Sequence, residues 1–128
     1  MALSLLPHKY PRPVDDRTLT ATRGWTRLKI RAAFRGTLSR GSVPGARLRL
    51  VHARADRLAL VVRTCPTCGR IALYRSGVFW RSVNTRSAKT RNKVVLLQPA
   101  FSLRRTTLWL QVLNGKPVYV DGVAVLPV

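Results

Sequence analysis

Short runs in which apolar and polar residues alternate occupy most of this chain. In residues 46–52, Leu48 and Leu50 would point to one face of a strand, and Arg47 and Arg49 to the other. Residues 57–64 and 108–112 repeat this alternation. Successive side chains of a strand point to opposite faces, so the pattern predicts half-buried strands. No window of eleven residues keeps a helical period without Gly or Pro, and we therefore expect little or no helix.

Turn signals separate these runs at short intervals. They are Arg23-Gly24, Arg40-Gly41, Pro44-Gly45, Cys68-Gly69, Ser76-Gly77, Asn114-Gly115 and Asp121-Gly122. Asn-Gly is typical of a two-residue hairpin turn. Residues 93–98 are apolar on both faces, which indicates a central strand. Several short strands at this spacing are typical of a sandwich or a barrel. The sequence predicts an all-β fold, an antiparallel and jelly-roll-like β-sandwich of about eight strands.

The first fourteen residues differ from the rest of the chain. They hold Pro7, Pro11 and Pro13, which favours an extended proline-rich leader or linker, followed by a single domain over residues 15–128. The opening residues have no basic n-region or cleavage site of a signal peptide, and no run approaches the ~20 apolar residues of a membrane-spanning helix. Three interpretations stay open: a cytoplasmic protein, a piece of a longer exported chain, or a start site set too late. We expect a monomer or part of a larger chain, without membrane insertion.

The charge is strongly basic. Lys and Arg number 24 against 4 acidic residues, a net charge of +20 over 128 residues. Such a charge attracts polyanions such as nucleic acid or wall polymers. The hydrophobic content of 46% is too high for a disordered basic tail, so the charge belongs to a folded domain. A GC-rich coding sequence would produce the same excess of arginine.

Cys65 and Cys68 form the sharpest local motif, Cys-Pro-Thr-Cys followed by Gly. The pair matches half of a zinc knuckle, but zinc needs four ligands, and His52 and His8 lie outside knuckle spacing. A redox site would place the first thiolate at a helix N-terminus, whereas residues 70–74 indicate a strand. The favoured interpretation is a disulfide that holds the turn between two strands, which implies an oxidising compartment.

Aromatic and basic side chains supply a weak hypothesis for ligand binding. Trp109 is out of phase with its apolar neighbours and is therefore expected to be exposed. Aromatic rings pack on sugar faces and basic loops bind phosphates, although tryptophans in sandwiches often fill the core and basic loops are often simply solvated. Aromatic residues are not interleaved in the basic stretch, as a nucleic-acid groove would require. The predicted ligand-binding residues are Trp109, Trp80, Tyr74, Arg81, Arg86 and Arg91.

Catalysis finds little support in the sequence. The chain has no glutamate, so a pair of catalytic carboxylates would have to come from Asp15, Asp16, Asp56 and Asp121. Neither a Gly-x-Ser-x-Gly elbow nor a His-Glu-x-x-His motif occurs. We predict no catalytic residues, no metal ligands and no cofactor.

Seven segments occur in an order and spacing that resemble a known family. They are residues 15–19 (Asp-Asp-Arg-Thr-Leu), Gly24-Trp25, residues 33–38 (Ala-Phe-Arg-Gly-Thr-Leu), residues 45–48 (Gly-Ala-Arg-Leu), residues 58–61 (Leu-Ala-Leu-Val), the turn from Cys65 to Gly69 with residues 71–74 (Ile-Ala-Leu-Tyr), and residues 118–125 (Val-Tyr-Val-Asp-Gly-Val-Ala-Val). Together they resemble the β-sandwich module at the C-terminus of many secreted or surface proteins of actinobacteria, which is similar to jelly-roll, galactose-binding-like modules.

This resemblance covers roughly residues 14–128 and implies a non-catalytic module. It places Asp15 and Asp16 where the sandwich begins and Asp121 in the closing strand, as structural turn residues. It transfers no ligand-binding residues. With the basic surface, it predicts an accessory module at the bacterial surface that binds a cell-wall or extracellular polysaccharide, anionic ones included. The alternatives are a nucleic-acid or polyanion-binding domain and a structural cap without a ligand.

Overall fold

Eleven strands and two short 3-10 turns make up the part of the chain that the computed structural model describes, residues 12–101 and 104–126. The strands are β1 (Arg12–Asp15), β2 (Thr20–Ala21), β3 (Trp25–Lys29), β4 (Thr37–Gly41), β5 (Arg47–Ala55), β6 (Arg57–Thr64), β7 (Arg70–Arg75), β8 (Val78–Asn84), β9 (Arg91–Leu97), β10 (Arg104–Val112) and β11 (Val118–Leu126). The 3-10 turns span Asp16–Thr18 and Phe34–Gly36. Within these residues no helical segment has the length and apolar character needed to cross a membrane.

The strands form two antiparallel sheets. The six-stranded sheet has the order β3-β4-β11-β6-β9, with β1 also paired to β11, and the five-stranded sheet has the order β2-β5-β10-β7-β8. From β4 to β7, and again from β8 to β11, each connection carries the chain from one sheet to the other. This alternation brings segments that are distant in sequence next to each other and produces a β-sandwich.

The core lies between the two sheets and is built from the inward half of each alternating strand. Leu48 and Leu108 enter it from the five-stranded sheet, and Leu60, Val62 and Val123 from the six-stranded sheet, all at most 1% exposed. Full burial of such a side chain contributes about 1.5–3 kcal/mol. The outward half of each strand is thereby left to carry the charged and aromatic side chains.

The all-β antiparallel sandwich predicted from the alternation is confirmed, with eleven strands in place of about eight. The additional strands are short ones near the beginning of the described chain. β1 begins at Arg12, so strand pairing starts before the boundary expected at residue 15, while residues 1–11 lie outside the described residues. β1 pairs only over four residues, which is too short for an alternation to be recognised in a proline-rich sequence.

Two local expectations are wrong. β9 is an edge strand, not a central one, and its outward residues Val95 and Leu97 are more than 60% exposed. Asn114-Gly115 does not close a hairpin, because β10 and β11 belong to different sheets and residues 113–117 cross between them. Both errors have one cause: local pattern does not say which sheet the next strand joins.

The expected turn at Ser76-Gly77 does close a hairpin, between β7 and β8. Both residues have positive φ, 49° and 81°, as a type I′ turn requires at its two central positions. Ser76 also donates its backbone N–H to the carbonyl of Thr107 at 2.8 Å. The hairpin therefore extends the five-stranded sheet and fixes β8 as its edge.

Candidate functional site

Three aromatic side chains lie in a row on the outward face of the five-stranded sheet. Because Leu108 and Leu110 point into the core, Trp109 between them points outward. Cross-strand register places Trp109 opposite Tyr74 on β7, and Tyr74 opposite Phe79 on β8. We call Trp109, Tyr74 and Phe79 the aromatic row.

The rings of the aromatic row contact one another at angles. The Trp109 and Tyr74 ring centroids are 5.4 Å apart with planes tilted by 40°, and those of Tyr74 and Phe79 are 5.6 Å apart in an edge-to-face arrangement. These are favourable aromatic geometries, so the rings hold each other in place. Phe79 is the most accessible member, with 54% of its surface exposed. The row therefore offers a rigid apolar surface to solvent.

Arginines of β5 border the aromatic row. The guanidinium of Arg47 stacks over the Trp109 ring, 4.2 Å from its centroid, and Arg47 Nε donates to Gln111 Oε1 at 2.6 Å. Arg49 is the cross-strand partner of Trp109. Arg49 Nε and Trp109 Nε1 are buried and have no acceptor among the described residues, which is uncommon for buried donors. Apolar ring surface and planar hydrogen-bond donors thus occur side by side.

A depression of about 250 Å³ adjoins Phe79 at the β7–β8 hairpin. Its lining includes Trp80 and Arg75, and the Arg75 guanidinium lies 4.7 Å from the Trp80 ring and 4.6 Å from the Phe101 ring. Trp80 packs edge-to-face on Phe101 and contacts the core. Of the three tryptophans in the sequence, Trp25 and Trp80 pack on the core and Trp109 points outward.

Two of the three predicted arginines lie apart from the aromatic row. Arg86 and Arg91 line a different depression of about 370 Å³ with Lys89, between the β8–β9 connection and β9. Arg86 Nε donates to the carbonyl of Pro66 at 3.2 Å, and Arg91 is exposed at the start of β9. Arg81 is exposed on β8 and lines neither depression. The six predicted ligand-binding residues therefore do not form one site.

The predicted disulfide between Cys65 and Cys68 is present in the β6–β7 connection. The Cys68 N–H donates to the Cys65 carbonyl at 3.2 Å, which makes a tight turn, and both residues are buried. In the disulfide neither sulfur is a thiolate that could bind a metal or attack a substrate. His8 and the side chain of His52, the other ligands weighed for zinc, lie outside what the structure describes.

The three predicted turn aspartates are buried. Asp16 accepts hydrogen bonds from Thr37 Oγ1 and Ser39 Oγ, both at 2.7 Å, and Arg27 lies 3.5 Å from its Oδ2. Asp15 makes no capping hydrogen bond through its side chain but pairs with Arg17 at 2.6 Å, which raises the pKa of that guanidinium. Asp121 is 1% exposed at the bulge of β11. In the described residues these carboxylates, together with His and Cys, gather in no group of three that could hold a metal.

Sequence reasoning missed Phe79, Arg47 and Arg49. Trp80 packs on the core, so alternation alone turns Phe79 outward; the bulge between Leu73 and Tyr74 then sets Phe79 opposite Tyr74, where regular pairing would set Trp80. A bulge of this kind changes which residues are cross-strand neighbours, and it leaves no clear mark in the sequence. The adjacent aromatic pair after the Ser76-Gly77 turn was the available signal.

Known protein families and curated proteins give no match to this sequence. Solved structures share its fold. The C-terminal CBM6 of the marine laminarinase LamC from Zobellia galactanivorans has a TM-score of 0.72 at 8% identity, over 91% of this chain and 99% of that one. The CBM36-1 domain of a multidomain xylanase from the hindgut metagenome of Trinervitermes trinervoides has a TM-score of 0.64 at 13% identity, over 91% and 96%.

Larger enzymes contain the same fold as one part. The catalytic unit of the GH87 α-1,3-glucanase from Streptomyces thermodiastaticus has a TM-score of 0.71 at 21% identity, over 97% of this chain but only 26% of that one. For the Agl-KA catalytic domain the match covers 28% of that chain. At these identities the likeness shows the β-sandwich fold.

Proposed function

We propose that this chain is a non-catalytic accessory module that binds an extracellular polysaccharide on the outward face of its five-stranded sheet. The observation that supports this proposal most strongly is the aromatic row with Arg47 beside it. Pyranose rings have apolar faces that pack on aromatic rings, and their hydroxyls accept hydrogen bonds from guanidinium groups. Tyr74 and Phe79 supply ring surface, and Arg47 supplies donors above Trp109.

The comparisons support this proposal without naming a ligand. Two matches that cover nearly the whole of the other chain are a CBM6 and a CBM36 domain, whereas the GH87 and Agl-KA catalytic units are several-fold longer than this chain. Three of the four aspartates are buried, and this disfavours their use as a catalytic pair. Accessory function is therefore favoured over catalysis.

We place the module outside the cell, in a secreted or surface protein of the kind that the actinobacterial resemblance implies. The Cys65–Cys68 disulfide supports this location, because disulfides persist in oxidising compartments. Cell-wall polysaccharide and soluble extracellular glucans are both accessible ligands there. The proposal leaves open which of them is bound.

Co-sedimentation with insoluble polysaccharides at about 20 mM and about 500 mM NaCl tests the proposal, because interactions between surface charges are strongly screened only at the higher concentration. The panel is insoluble β-1,3-glucan, α-1,3-glucan, β-1,3-galactan, xylan and purified actinobacterial cell wall, with heparin and DNA immobilised on beads as charged controls. We expect at least one to retain the protein at both salt concentrations, because ring stacking is insensitive to salt. Trp109→Ala and Phe79→Ala should each weaken that binding about tenfold, which corresponds to ~1.4 kcal/mol.

Leu97→Ala is the matched control, since it removes an exposed apolar side chain from the opposite sheet. It should bind like the original protein. Retention that disappears at 500 mM NaCl and is equal for heparin and DNA would show attraction by charge alone. That result, or unchanged binding by both aromatic variants, would overturn the proposal.

A further inference from the structure

A tyrosine lies between two arginines on the outward face of the other, six-stranded sheet. Tyr119 on β11 is the cross-strand partner of Arg40 on β4 and of Arg63 on β6. The guanidinium carbons of Arg40 and Arg63 are 5.9 Å and 5.2 Å from the Tyr119 ring centroid. The sheet therefore holds two like charges against a single ring.

No carboxylate neutralises these two charges within the described residues. The ion pairs there join Arg17 to Asp15 and Arg27 to Asp16, at another part of the molecule. Arg63 instead donates from Nε to Asn92 Oδ1 at 2.8 Å. Adjacent arginines without an acid repel each other, so this part of the sheet favours a bound anion.

Unused donors remain on both arginines. In the described chain the hydrogen bonds of Arg40 and Arg63 are made by Nε, which leaves the terminal NH₂ groups of each planar fork available. Arg40 Nε donates to the Tyr119 hydroxyl oxygen in a long hydrogen bond of 3.4 Å. The proton of that hydroxyl must then point away from Arg40 and can be donated to a ligand.

A depression of about 240 Å³ adjoins these donors. Arg63, Tyr119, Thr67 and Thr90 line it, and the disulfide turn at Cys65 closes one side. This volume far exceeds the ~30 Å³ of one water, so the depression has room for an oxyanion with part of the group that carries it. The Arg63 guanidinium and the hydroxyls of three further lining residues can donate hydrogen bonds to the oxygens of a carboxylate, sulfate or phosphate.

We propose that Arg63, Tyr119, Thr67 and Thr90 form a binding site for an oxyanion, with Arg40 orienting the Tyr119 hydroxyl and adding positive charge. The Arg63 fork supplies the strong, charge-assisted hydrogen bonds. The side chain of Asn92 holds that fork in place. This site lies on the opposite sheet from the aromatic row, so the inference is independent of the proposed function.

Titration of the ¹⁵N-labelled protein, followed through the arginine Nε–Hε and backbone amide signals, tests the site. The probes are sodium sulfate, sodium phosphate and sodium glucuronate, each against sodium chloride at equal ionic strength. We expect the Arg63 Nε–Hε signal to shift and saturate with at least one probe and not with chloride. The probe that binds most tightly identifies a sulfate, a phosphate or a sugar carboxylate as the preferred group.

Arg63→Gln should weaken this binding at least about tenfold, as loss of a charged hydrogen-bonding partner does. Arg31→Gln is the matched control: it removes one positive charge from an exposed position between β3 and β4 and should change the affinity less than about twofold. If Arg63→Gln fails to fold, Tyr119→Phe and Thr90→Val, which each delete a hydroxyl, should still weaken binding several-fold.

Two results would overturn the inference. One is a shift that follows ionic strength equally for chloride and all three probes, because that describes screening and not a site. The other is equal loss of binding in Arg63→Gln and Arg31→Gln, since long-range attraction by the net charge depends little on which surface arginine is removed.

Discussion

Asp16 has no exposed surface, and hydrogen-bond donors surround its carboxylate. Thr37 Oγ1 and Ser39 Oγ donate to this carboxylate from β4. Arg27 reaches it from β3 and also donates to Ser39 Oγ at 2.6 Å and to the Leu19 carbonyl at 2.9 Å. A buried carboxylate is tolerated only when such partners replace water. Asp16 therefore joins the first 3-10 turn to the edge of the six-stranded sheet.

Asp16→Ala should lower the free energy of unfolding by about 3 kcal/mol, because it leaves Arg27 and two hydroxyls without their acceptor. Asp16→Asn keeps the shape and one acceptor oxygen and should cost about half as much. Urea unfolding at neutral pH measures both variants. Equal stability of Asp16→Ala and the original protein would show that the network contributes nothing.

At the scale of elements, β1 is held to the sandwich by a close approach of two backbones. Gly122 on β11 pairs with Asp15, and a Cβ at Gly122 would overlap the carbonyl oxygen of Val14. The obstacle is backbone, which cannot turn aside as a side chain can. Glycine is needed here for space and not for a special φ angle.

Gly122→Ala should therefore push β1 away from β11 and cost about 3 kcal/mol, at the upper end of overpacking effects. Gly115→Ala is the matched control, since a Cβ there meets no atom within 4 Å. Urea unfolding compares the two, and hydrogen exchange of the β1 amides should rise only in Gly122→Ala. Similar stability of both variants would contradict the close approach.

The β6–β7 connection holds a second constraint, the Cys65–Cys68 disulfide. Its sequence separation is only 3, and a loop of about four residues contributes roughly 2 kcal/mol through chain entropy. The turn also has its own hydrogen bonds, including Thr85 Oγ1 to the Gly69 carbonyl at 2.6 Å.

Replacement of both cysteines by serine should thus lower the free energy of unfolding by about 2 kcal/mol or less and leave the fold intact. Far-UV circular dichroism and urea unfolding check the two parts of this expectation. A variant that does not fold would mean that the disulfide is required for the sandwich.

For the whole molecule, the dominant property is its net charge of +20. With 24 basic residues against 4 acidic ones, most basic side chains have no acidic partner of their own. Self-repulsion of this kind destabilises a compact state and is reduced by salt.

Raising NaCl from about 20 to 500 mM should therefore increase the free energy of unfolding, by about 1–2 kcal/mol given that single surface interactions reach ~1 kcal/mol. KCl at equal concentration should act alike, because screening depends on ionic strength. Urea unfolding at each salt concentration provides the measurement. A stability that is constant or falls with salt would contradict net repulsion.

Strand faces could be predicted from sequence because side-chain direction in a strand repeats every two residues. Leu108, Trp109 and Leu110 show this: the alternation placed Trp109 outward, as the structure does. The Cys65–Cys68 disulfide could also be predicted from sequence, because both cysteines belong to one motif of four residues. The position of Phe79 beside Tyr74 was not predictable in this way, because a bulge in the β7–β8 pairing changes the cross-strand partner of Tyr74.

By itself, then, the sequence determined an all-β sandwich, the outward direction of Trp109 and a strongly basic surface, since each depends on local period or on composition. Only the tertiary structure decided which outward residues became neighbours. Arg40, Arg63 and Tyr119 come from three separate strands and meet through the register of β4, β11 and β6. Register depends on how the two sheets close over the core, and no pattern within one strand specifies its neighbour in the sheet.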